Sequence, residues 1–414
     1  MFAGYSSGWY DYRTSEICLS SWDKEERIIK RVPFDWYFFI EKNSYKGNLE
    51  SIVDGVREDG KYLRLFTQPN WKNRIEVFEQ IRSLGLKPLE ADVAPINRFL
   101  TDNQVTFSDS LRILYYDFET DARLGWGKIK RHKLLSAAFR EWDYKNNRSK
   151  DKTDFLASEG GKYGEHDLLG NFLEVIGKHD VIIAWNGDAY DEIVLKSRCD
   201  IFGYKPVWQV VNFLDQMNVF KKFYTKDAKG SGVRVSYSLD NISKTLLGEG
   251  KEKDVFEEVP GNGKAEQIVW LFENDLSKLK KYNLVDVDRQ VQLEAKEKFI
   301  DALKVQSHIC NRFLSSFSTM TGYLNDAFIL KYASKNENRM STKMYRFTKK
   351  DESKRKKQDK FEGAYVMESV LGLHKDICTI DFSGLYPSLM LSFNISPETL
   401  VDESYKGDVA IAEN

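Results

Sequence analysis

Residues 113–123 read ILYYDFETDAR, in which an apolar, aromatic strand ends in two carboxylates. Asp117 and Glu119 are two positions apart, and because side chains alternate along a strand, both carboxylates lie on one face. Two acids held side by side repel each other unless a divalent cation lies between them, and Mg²⁺ and Mn²⁺ prefer carboxylate oxygens. A solvated strand edge is the alternative interpretation of this acidic pair.

A second polar cluster follows the apolar run 180–185, DVIIAW, which is typical of a strand covered on both faces. The stretch continues as NGDAYDEIVL and delivers four polar side chains to the end of that strand, where α/β proteins place their sites: Asn186, Asp188, Tyr190 and Asp191. An N-cap role for Asp191, at the start of the next helix, is the alternative interpretation.

A third element is KYNLVDVDRQ, residues 281–290. Tyr282 and Asp286 are four positions apart on a predicted helix, so the phenol and the carboxylate share one face and point into one cleft. The alternative interpretation is a Tyr packed on the helix flank beside a solvent-facing Asp.

Together, in this order, the three elements resemble the exonuclease motifs of the family B DNA polymerases. The resemblance implies an RNase H-like exonuclease domain and a two-metal 3′–5′ exonuclease mechanism, with four carboxylates holding two Mg²⁺ or Mn²⁺ ions: Asp117, Glu119, Asp191 and Asp286. By the same resemblance Tyr282 helps to orient the attacking water, and Asn186 and Tyr190 lie near the DNA strand. Tyr190 stands where the family more often has Phe.

The stretch 379–400, TIDFSGLYPSLMLSFNISPETL, resembles the first polymerase motif of the same family, and its NISPET continuation resembles the T-even bacteriophage branch. The resemblance implies that Asp381, ending a CTI strand, ligates catalytic metal and that Tyr386 stacks under the sugar of the incoming nucleotide. The turn Ser383, Gly384 and Leu385 would bind its triphosphate through backbone N–H groups. Gly384 replaces the usual Ser of the family.

Just upstream, FEGAYVMESV at residues 361–370 resembles the family element that links the exonuclease and polymerase sites on the template strand. Phe361 stands in place of the usual Tyr, whereas Gly363 and Ala364 match. The resemblance implies that these three residues contact DNA.

The second and third polymerase motifs of the family are not found in the 414 residues. We therefore expect no polymerisation by this chain alone, because phosphoryl transfer needs a second metal-holding carboxylate and a lysine for the triphosphate. The expectation is the N-terminal chain of a split or truncated phage replicative polymerase. A second chain would supply the rest of the palm, the fingers and the thumb, would permit dNTP binding, and would carry any contact with a sliding clamp.

Two further functions compete with this one. The first is a free-standing 3′–5′ exonuclease with a vestigial palm. The second is a non-catalytic subunit that binds nucleic acid through the N-terminal domain and the basic run Lys343–Lys360. A solvated loop is the alternative interpretation of that basic run.

Composition excludes several classes of protein. With 42% hydrophobic and 30% charged residues, the chain is neither disordered nor collagen-like, and no apolar run reaches the roughly 20 residues of a membrane span. The N-terminus lacks a signal-peptide pattern, and the four cysteines form no CxxC motif, so we expect a cytoplasmic protein, by resemblance in a phage-infected bacterium. Charge is balanced, 62 Lys and Arg against 63 Asp and Glu, so net charge alone does not indicate nucleic-acid binding.

The predicted fold class is α/β and α+β multidomain. We expect a small α+β N-terminal domain over residues 1–106, revisited by 305–350, an exonuclease domain over 107–304, and the incomplete palm over 351–414. Residues 265–304 lack Pro and Gly and predict a long helical region.

Overall fold

The computed structural model describes residues 2–44, 47, 49–68, 71–103, 105–143, 148–149, 153–158, 164–224, 236–248, 254–342, 367–368, 370–378, 380–396, 399 and 401. The chain divides into two compact units, Met1–Met344 and Tyr345–Asn414, which are described separately below.

The first unit contains both strands and helices in its described residues. Its strands in the described residues are β1 Phe2–Tyr5, β2 Ser7–Asp11, β3 Glu16–Asp23, β4 Glu26–Pro33, β5 Tyr37–Glu41, β6 Gly55–Asp59, β7 Tyr62–Phe66, β8 Val105–Phe107, β9 Arg112–Asp121, β10 Lys133–Asp143, β11 Arg148–Ser149, β12 Asp154–Ala157, β13 Val181–Ala184 and β14 Asn212–Asp215. Its helices there are α1 Trp71–Ser83, α2 Pro95–Asp102, α3 Gly164–Gly177, α4 Asp191–Phe202, α5 Gln216–Phe223, α6 Leu239–Leu247, α7 Lys264–Asn274, α8 Leu276–Glu297, α9 Phe299–Ile309 and α10 Thr321–Lys335.

The N-terminal region contains three small sheets, ordered β2-β3-β4, β5-β7-β6 and β1-β8. Its aromatic residues form a core: Trp36, Phe38 and Phe39 are almost completely buried. The segment after α10 returns to this region, where the Glu90 N–H donates to the Met340 carbonyl and Leu89 pairs with Ser341. The domain boundaries themselves stay predictions.

A six-stranded mixed sheet forms the centre of the unit, in the order β11-β10-β9-β13-β14, with β12 also pairing with β10. β9 is antiparallel to β10 and parallel to β13. Every residue of β13, VIIA, is buried, because helices cover both faces: α3 and α4 contribute Phe172 and Leu195 on one side, and α8 and α9 contribute Val287 and Ile300 on the other.

The start of β9 is fixed to the N-terminal sheets by one buried carboxylate. Asp180 accepts hydrogen bonds from the Arg112 N–H at 3.0 Å and from the Trp22 indole N–H at 2.7 Å. The guanidinium groups of Arg27 and Arg112 lie 4.3 and 4.0 Å from the Trp22 ring. This cluster holds the β2-β3-β4 sheet against the end of the central sheet.

The region 265–304 is helical, as predicted, but divides into α7, α8 and α9 without Pro or Gly at either break. Asp275 ends α7 and caps α8 by accepting a hydrogen bond from the Lys278 N–H. Lys298 ends α8 with a left-handed φ of 54°. Local capping and backbone conformation set these breaks.

Two strand predictions need correction. β9 runs on to Asp121, so Asp117 and Glu119 lie within the strand and not past its end, because β10 pairs with residues 112–121 throughout. In the second unit, Cys378, Ile380 and Asp381 are not in a strand, and Thr379 is outside the described residues. A strand needs a pairing partner, and no described residue pairs with this segment.

The regular element of the second unit in its described residues is helix α11, Leu385–Ser392. In the described part of the chain, no helix is long and apolar enough to span a bilayer.

Glu294 carries a buried carboxyl group whose environment disfavours its charge. Burial raises its pKa to about 8, its carboxylate accepts a hydrogen bond from the Ile300 N–H, and among the described residues its Oε2 has no hydrogen-bond partner. Since the folded-state pKa lies above the unfolded value of 4.5, ionisation costs stability progressively as pH rises from about 4.5 to about 8.

We therefore expect Glu294→Gln to increase the free energy of unfolding at pH 9 by roughly 2 kcal/mol or more and to change it little at pH 5. Urea denaturation at the two pH values measures this. Glu273→Gln, which removes an exposed carboxylate from α7, is the matched control. An equal gain in both variants at pH 9 would contradict the assignment to Glu294.

Candidate active site

One cleft in the first unit, of about 460 Å³, is lined by all seven residues that the three exonuclease-like motifs predict. They are Asp117, Glu119, Asn186, Tyr190, Asp191, Tyr282 and Asp286. Ten further described residues line it, among them Trp126, His132, Trp185 and Lys264, which the sequence analysis did not single out.

The cleft exists because β13 is shorter than β9. Ile183 pairs with Tyr115, and β13 ends at the next residue, so no strand among the described residues pairs with the second half of β9 on that side. The N-terminus of α4 lies there instead. The Phe118 N–H donates to the carboxylate of Asp191 at 3.4 Å, in place of a ladder hydrogen bond.

Three carboxylates converge in the cleft, from two elements. One oxygen from each of Asp117, Glu119 and Asp286 lies within 4.8 Å of the others. Asp117 is half-buried, whereas Glu119 and Asp286 are buried. A set of hard oxygen donors this close, shielded from water, fits a divalent cation such as Mg²⁺ or Mn²⁺.

Asp191 lines the same cleft, but its carboxylate oxygens do not lie within 4.8 Å of all three of these carboxylates. It is the first residue of α4, and Tyr190 occupies the N-cap position, so the capping interpretation does not describe its side chain. Burial raises the pKa of Asp191 to about 7, and the nearby charges of Glu119 and Asp215 add to the rise. A neighbouring cation would favour the ionised form.

Tyr282 and Asp286 both point from α8 into the cleft, as their spacing predicts. The Lys264 ammonium donates to the Tyr282 hydroxyl at 2.5 Å. Burial, followed by the charge of Asp286, raises the pKa of Tyr282 far above its usual value, so this phenol stays protonated. Lys264 had only a weak sequence signal, a single Lys at the start of a predicted helix.

Asn283 orients Asp117 and was missed. Its side-chain amide donates to the Asp117 carboxylate at 2.9 Å and to the Asp117 carbonyl at 3.2 Å, and its carbonyl accepts from the Ser136 hydroxyl at 3.1 Å. Asn283 and Ser136 are fully buried. The signal available was a polar residue on the apolar flank of α8, three positions before Asp286.

The residues after β13 form a tight turn. Asn186 has a left-handed φ of 64°, and its N–H donates at 3.0 Å to the carboxylate of Asp215, which also caps α5. Asp188 is exposed and contacts Ser316 at 2.9 Å, away from the cleft lining. The polar cluster of this turn therefore divides between two sides of the loop.

Tyr190 makes polar contacts that Phe could not. Its hydroxyl is hydrogen-bonded to the Thr120 hydroxyl and to His132 Nδ1, the latter at 2.9 Å. Burial raises the pKa of Tyr190 to about 12. Trp126 packs against its ring edge to face, with ring centroids 5.4 Å apart, and remains 70% exposed at the cleft.

The polymerase-like motif lies in the second unit. Asp381 is exposed, and Tyr386 is exposed at the start of α11. Gly384 precedes that helix with a φ of +62°, a left-handed conformation that favours Gly over the usual Ser. Ser383 and Leu385 flank it. Phe361, Gly363, Ala364 and the basic run Lys343–Lys360 lie outside the described residues.

We expect Mn²⁺ to raise the melting temperature of the wild-type chain by a few degrees and to do so much less in Asp286→Asn. A ligand at about 100 times its Kd stabilises the folded state by about 2.7 kcal/mol. Thermal denaturation with and without Mn²⁺ measures this, with the exposed Asp200→Asn as the matched control. The same shift in Asp286→Asn as in the control would exclude Asp286 as a ligand.

We expect Asn283→Ala to weaken Mn²⁺ binding about 10- to 100-fold, since groups that orient ligands contribute on this scale. Loss of its buried hydrogen bonds should also lower the free energy of unfolding by about 1–3 kcal/mol. Calorimetric titration of the folded variant measures the affinity, and Asn274→Ala, at the exposed end of α7, is the control. Unchanged affinity with lower stability would show a purely structural role.

Comparison with known proteins shows which family this chain is similar to. Residues 320–413 match the family model "DNA polymerase family B". A DNA polymerase of Thermococcus sp. (strain 9oN-7) is 26% identical over 261 residues, which cover 58% of this chain and 31% of that protein. DNA polymerase 1 of Pyrococcus abyssi is 26% identical over 259 residues, 58% of this chain and 32% of that protein. The chain thus spans about a third of the length of these relatives.

The fold also matches a solved structure. The family B DNA polymerase from the hyperthermophilic archaeon Pyrobaculum calidifontis superposes with a TM-score of 0.70 at 18% identity, over 98% of this chain and 58% of the other. This match confirms the mixed α/β multidomain fold, with which the predicted RNase H-like exonuclease domain agrees. Sequence and fold together relate this chain to the family B DNA polymerases.

Proposed function

We propose that the chain is a 3′–5′ exonuclease that removes the terminal nucleotide from single-stranded 3′ ends and from the frayed primer end of a primer-template. The observation that carries the proposal is the convergence of Asp117, Glu119 and Asp286 within 4.8 Å, in a cleft that Asp191 and Tyr282 also line. The relationship to DNA polymerases supports DNA as the substrate.

The carboxylate trio would hold Mg²⁺ or Mn²⁺, and Asp191 would help to hold a second ion. Two divalent ions held by these carboxylates would activate a water molecule and would stabilise the leaving 3′ oxygen. In the reaction the water oxygen bonds to phosphorus, the bond from phosphorus to the 3′ oxygen breaks, and that oxygen takes up a proton. The products are a nucleoside 5′-monophosphate and a DNA strand with a new 3′ hydroxyl group.

Tyr282 orients the attacking water and does not act as the base. Its raised pKa keeps the phenol protonated. The Lys264 ammonium donates a hydrogen bond of 2.5 Å to the phenolic oxygen and so holds it in place. The ammonium group of Lys264 also places a positive charge in a cleft of carboxylates, where it offsets part of their repulsion and favours a phosphate.

The other side of the cleft suits a nucleic-acid strand. Trp126 offers an exposed ring on which a base can stack, and Asn186 and Tyr190 line the wall beside it. The loop that carries Trp126 also bears exposed cations for backbone phosphates: Arg123, Lys128, Lys130 and Arg131.

We further propose that Asp381 and Tyr386 contribute the first palm motif to a polymerase site, with Ser383, Gly384 and Leu385 at the triphosphate. The family-model match over residues 320–413 favours this. Polymerisation would require residues that carry the second and third motifs. A T-even-like phage origin remains a prediction. Supply of these motifs by a separate chain, and a sliding clamp bound through that chain, are also predictions, which co-purification from the natural source tests.

We expect the purified chain with Mg²⁺ to shorten a single-stranded oligonucleotide from its 3′ end. Asp117→Ala/Glu119→Ala should lower the rate at least about 100-fold, because bound metal contributes several kcal/mol to the transition state. Release of labelled 3′-terminal nucleotide measures the rate. Asp200→Ala/Glu174→Ala removes the same charges from exposed positions and should retain activity. Equal rates in the two double variants would contradict the proposal.

A further inference from the structure

A chain of hydrogen bonds crosses the mouth of the cleft and ends on a loop. The Tyr190 hydroxyl contacts the Thr120 hydroxyl and His132 Nδ1, and His132 Nε2 lies 3.1 Å from the Gly125 carbonyl oxygen. Thr120 and His132 are buried. This series of hydrogen bonds thus begins at Thr120, next to Glu119 on β9. It continues through Tyr190, the residue before Asp191, and ends on the connection between β9 and β10.

If His132 is neutral, the chemistry of the partners fixes the direction of each of these hydrogen bonds. A carbonyl oxygen only accepts, so Nε2 of His132 carries the hydrogen and donates it to Gly125. In the neutral imidazole Nδ1 then accepts, and the Tyr190 hydroxyl donates to it. The Thr120 hydroxyl donates in turn to the Tyr190 oxygen. Removing the phenolic oxygen would therefore leave a buried acceptor on His132 and a buried donor on Thr120 without their present partner.

Residues 122–131, here named the Trp126 loop, depend on Gly125 for their conformation. Gly125 has a left-handed φ of +77°, its N–H donates to the Ala122 carbonyl at 2.9 Å, and its carbonyl accepts from Lys128 N–H at 3.0 Å as well as from His132. The next residue is Trp126, whose ring packs edge to face on Tyr190. Tyr190 thus contacts the loop through its ring and, by way of His132, through its hydroxyl.

We propose that the Tyr190 hydroxyl is a positioning group that fixes the Trp126 loop at the mouth of the cleft and thereby sets how tightly a single-stranded 3′ end is held. The inference deepens the proposed exonuclease and rests on it for the identity of the strand. Tyr190 does not touch the reacting atoms in this assignment, and its effect on DNA passes through Trp126. A Phe ring, the more usual residue of the family, would keep the ring contact and lose the link to His132.

The test uses Tyr190→Phe, which removes only the phenolic oxygen. A nitroxide is attached to Leu124→Cys, a half-exposed position in the Trp126 loop, in a Cys378→Ser background, because Cys378 is the exposed cysteine among the four and the other three are buried. In Tyr190→Phe without DNA, we expect an EPR spectrum that shows a more mobile nitroxide. We also expect about three- to tenfold weaker binding of a labelled single-stranded oligonucleotide in EDTA. With Mg²⁺, kcat should change less than about twofold, so that the effect falls on KM.

The matched control is Tyr204→Phe, which also removes a hydroxyl that contacts a histidine, His166, but does so outside the cleft lining. Thr120→Val leaves the hydrogen bond from Tyr190 to His132 in place and should therefore mobilise the loop less than Tyr190→Phe does, and Thr120→Ser, which keeps the donor, should behave like the wild-type chain. An unchanged spectrum in Tyr190→Phe, or a mobile loop with unchanged DNA binding, would overturn the inference. A wild-type chain without nuclease activity would overturn the proposed exonuclease, while the spectra and the binding data would still decide the role of Tyr190.

Discussion

The mutual repulsion of carboxylates inside one cleft is the constraint on which the rest of the structure depends. Charges on Asp117, Glu119 and Asp286 that lie within 4.8 Å repel by roughly 3 kcal/mol or more per pair at an effective dielectric constant of about 20. A folded chain tolerates such a cluster only if the scaffold is rigid and a cation offsets the charge. The first condition is visible in how β9 and α8 are held.

Buried hydrogen bonds anchor each element that carries the proposed ligands. Asp180 accepts the N–H at the start of β9 and joins the N-terminal sheets to the central one. Asn283 connects α8 to Asp117 on β9, and Ser136 on β10 fixes Asn283 in turn. The early end of β13 then opens the space in which Asp191 replaces a strand neighbour. The same feature that interrupts the sheet thus creates the site.

Alternation and helical periodicity predicted which side chains share a face, whereas the expectation that the three elements form one metal site came from the resemblance to the family B DNA polymerases. The two-residue spacing of Asp117 and Glu119 and the four-residue spacing of Tyr282 and Asp286 determine which side chains share a face, whatever the exact ends of the elements. These local rules hold because β9 and α8 are regular.

Contacts between distant elements could not be predicted in the same way. Lys264 reaches Tyr282 across 18 positions, and the amide of Asn283 reaches Asp117 across 166. Neither pair has a local signature. The break at Lys298 depends on a left-handed backbone conformation at a residue that is not Gly, so the sequence does not predict it. The strand expected before Asp381 needs pairing partners that the described residues do not provide.

The most direct test of the central claim is anomalous diffraction from crystals of the chain soaked in Mn²⁺. The account predicts a manganese peak in contact with oxygens of Asp117, Glu119 and Asp286. Manganese bound elsewhere, with the three carboxylates unchanged and without an ion between them, would contradict it.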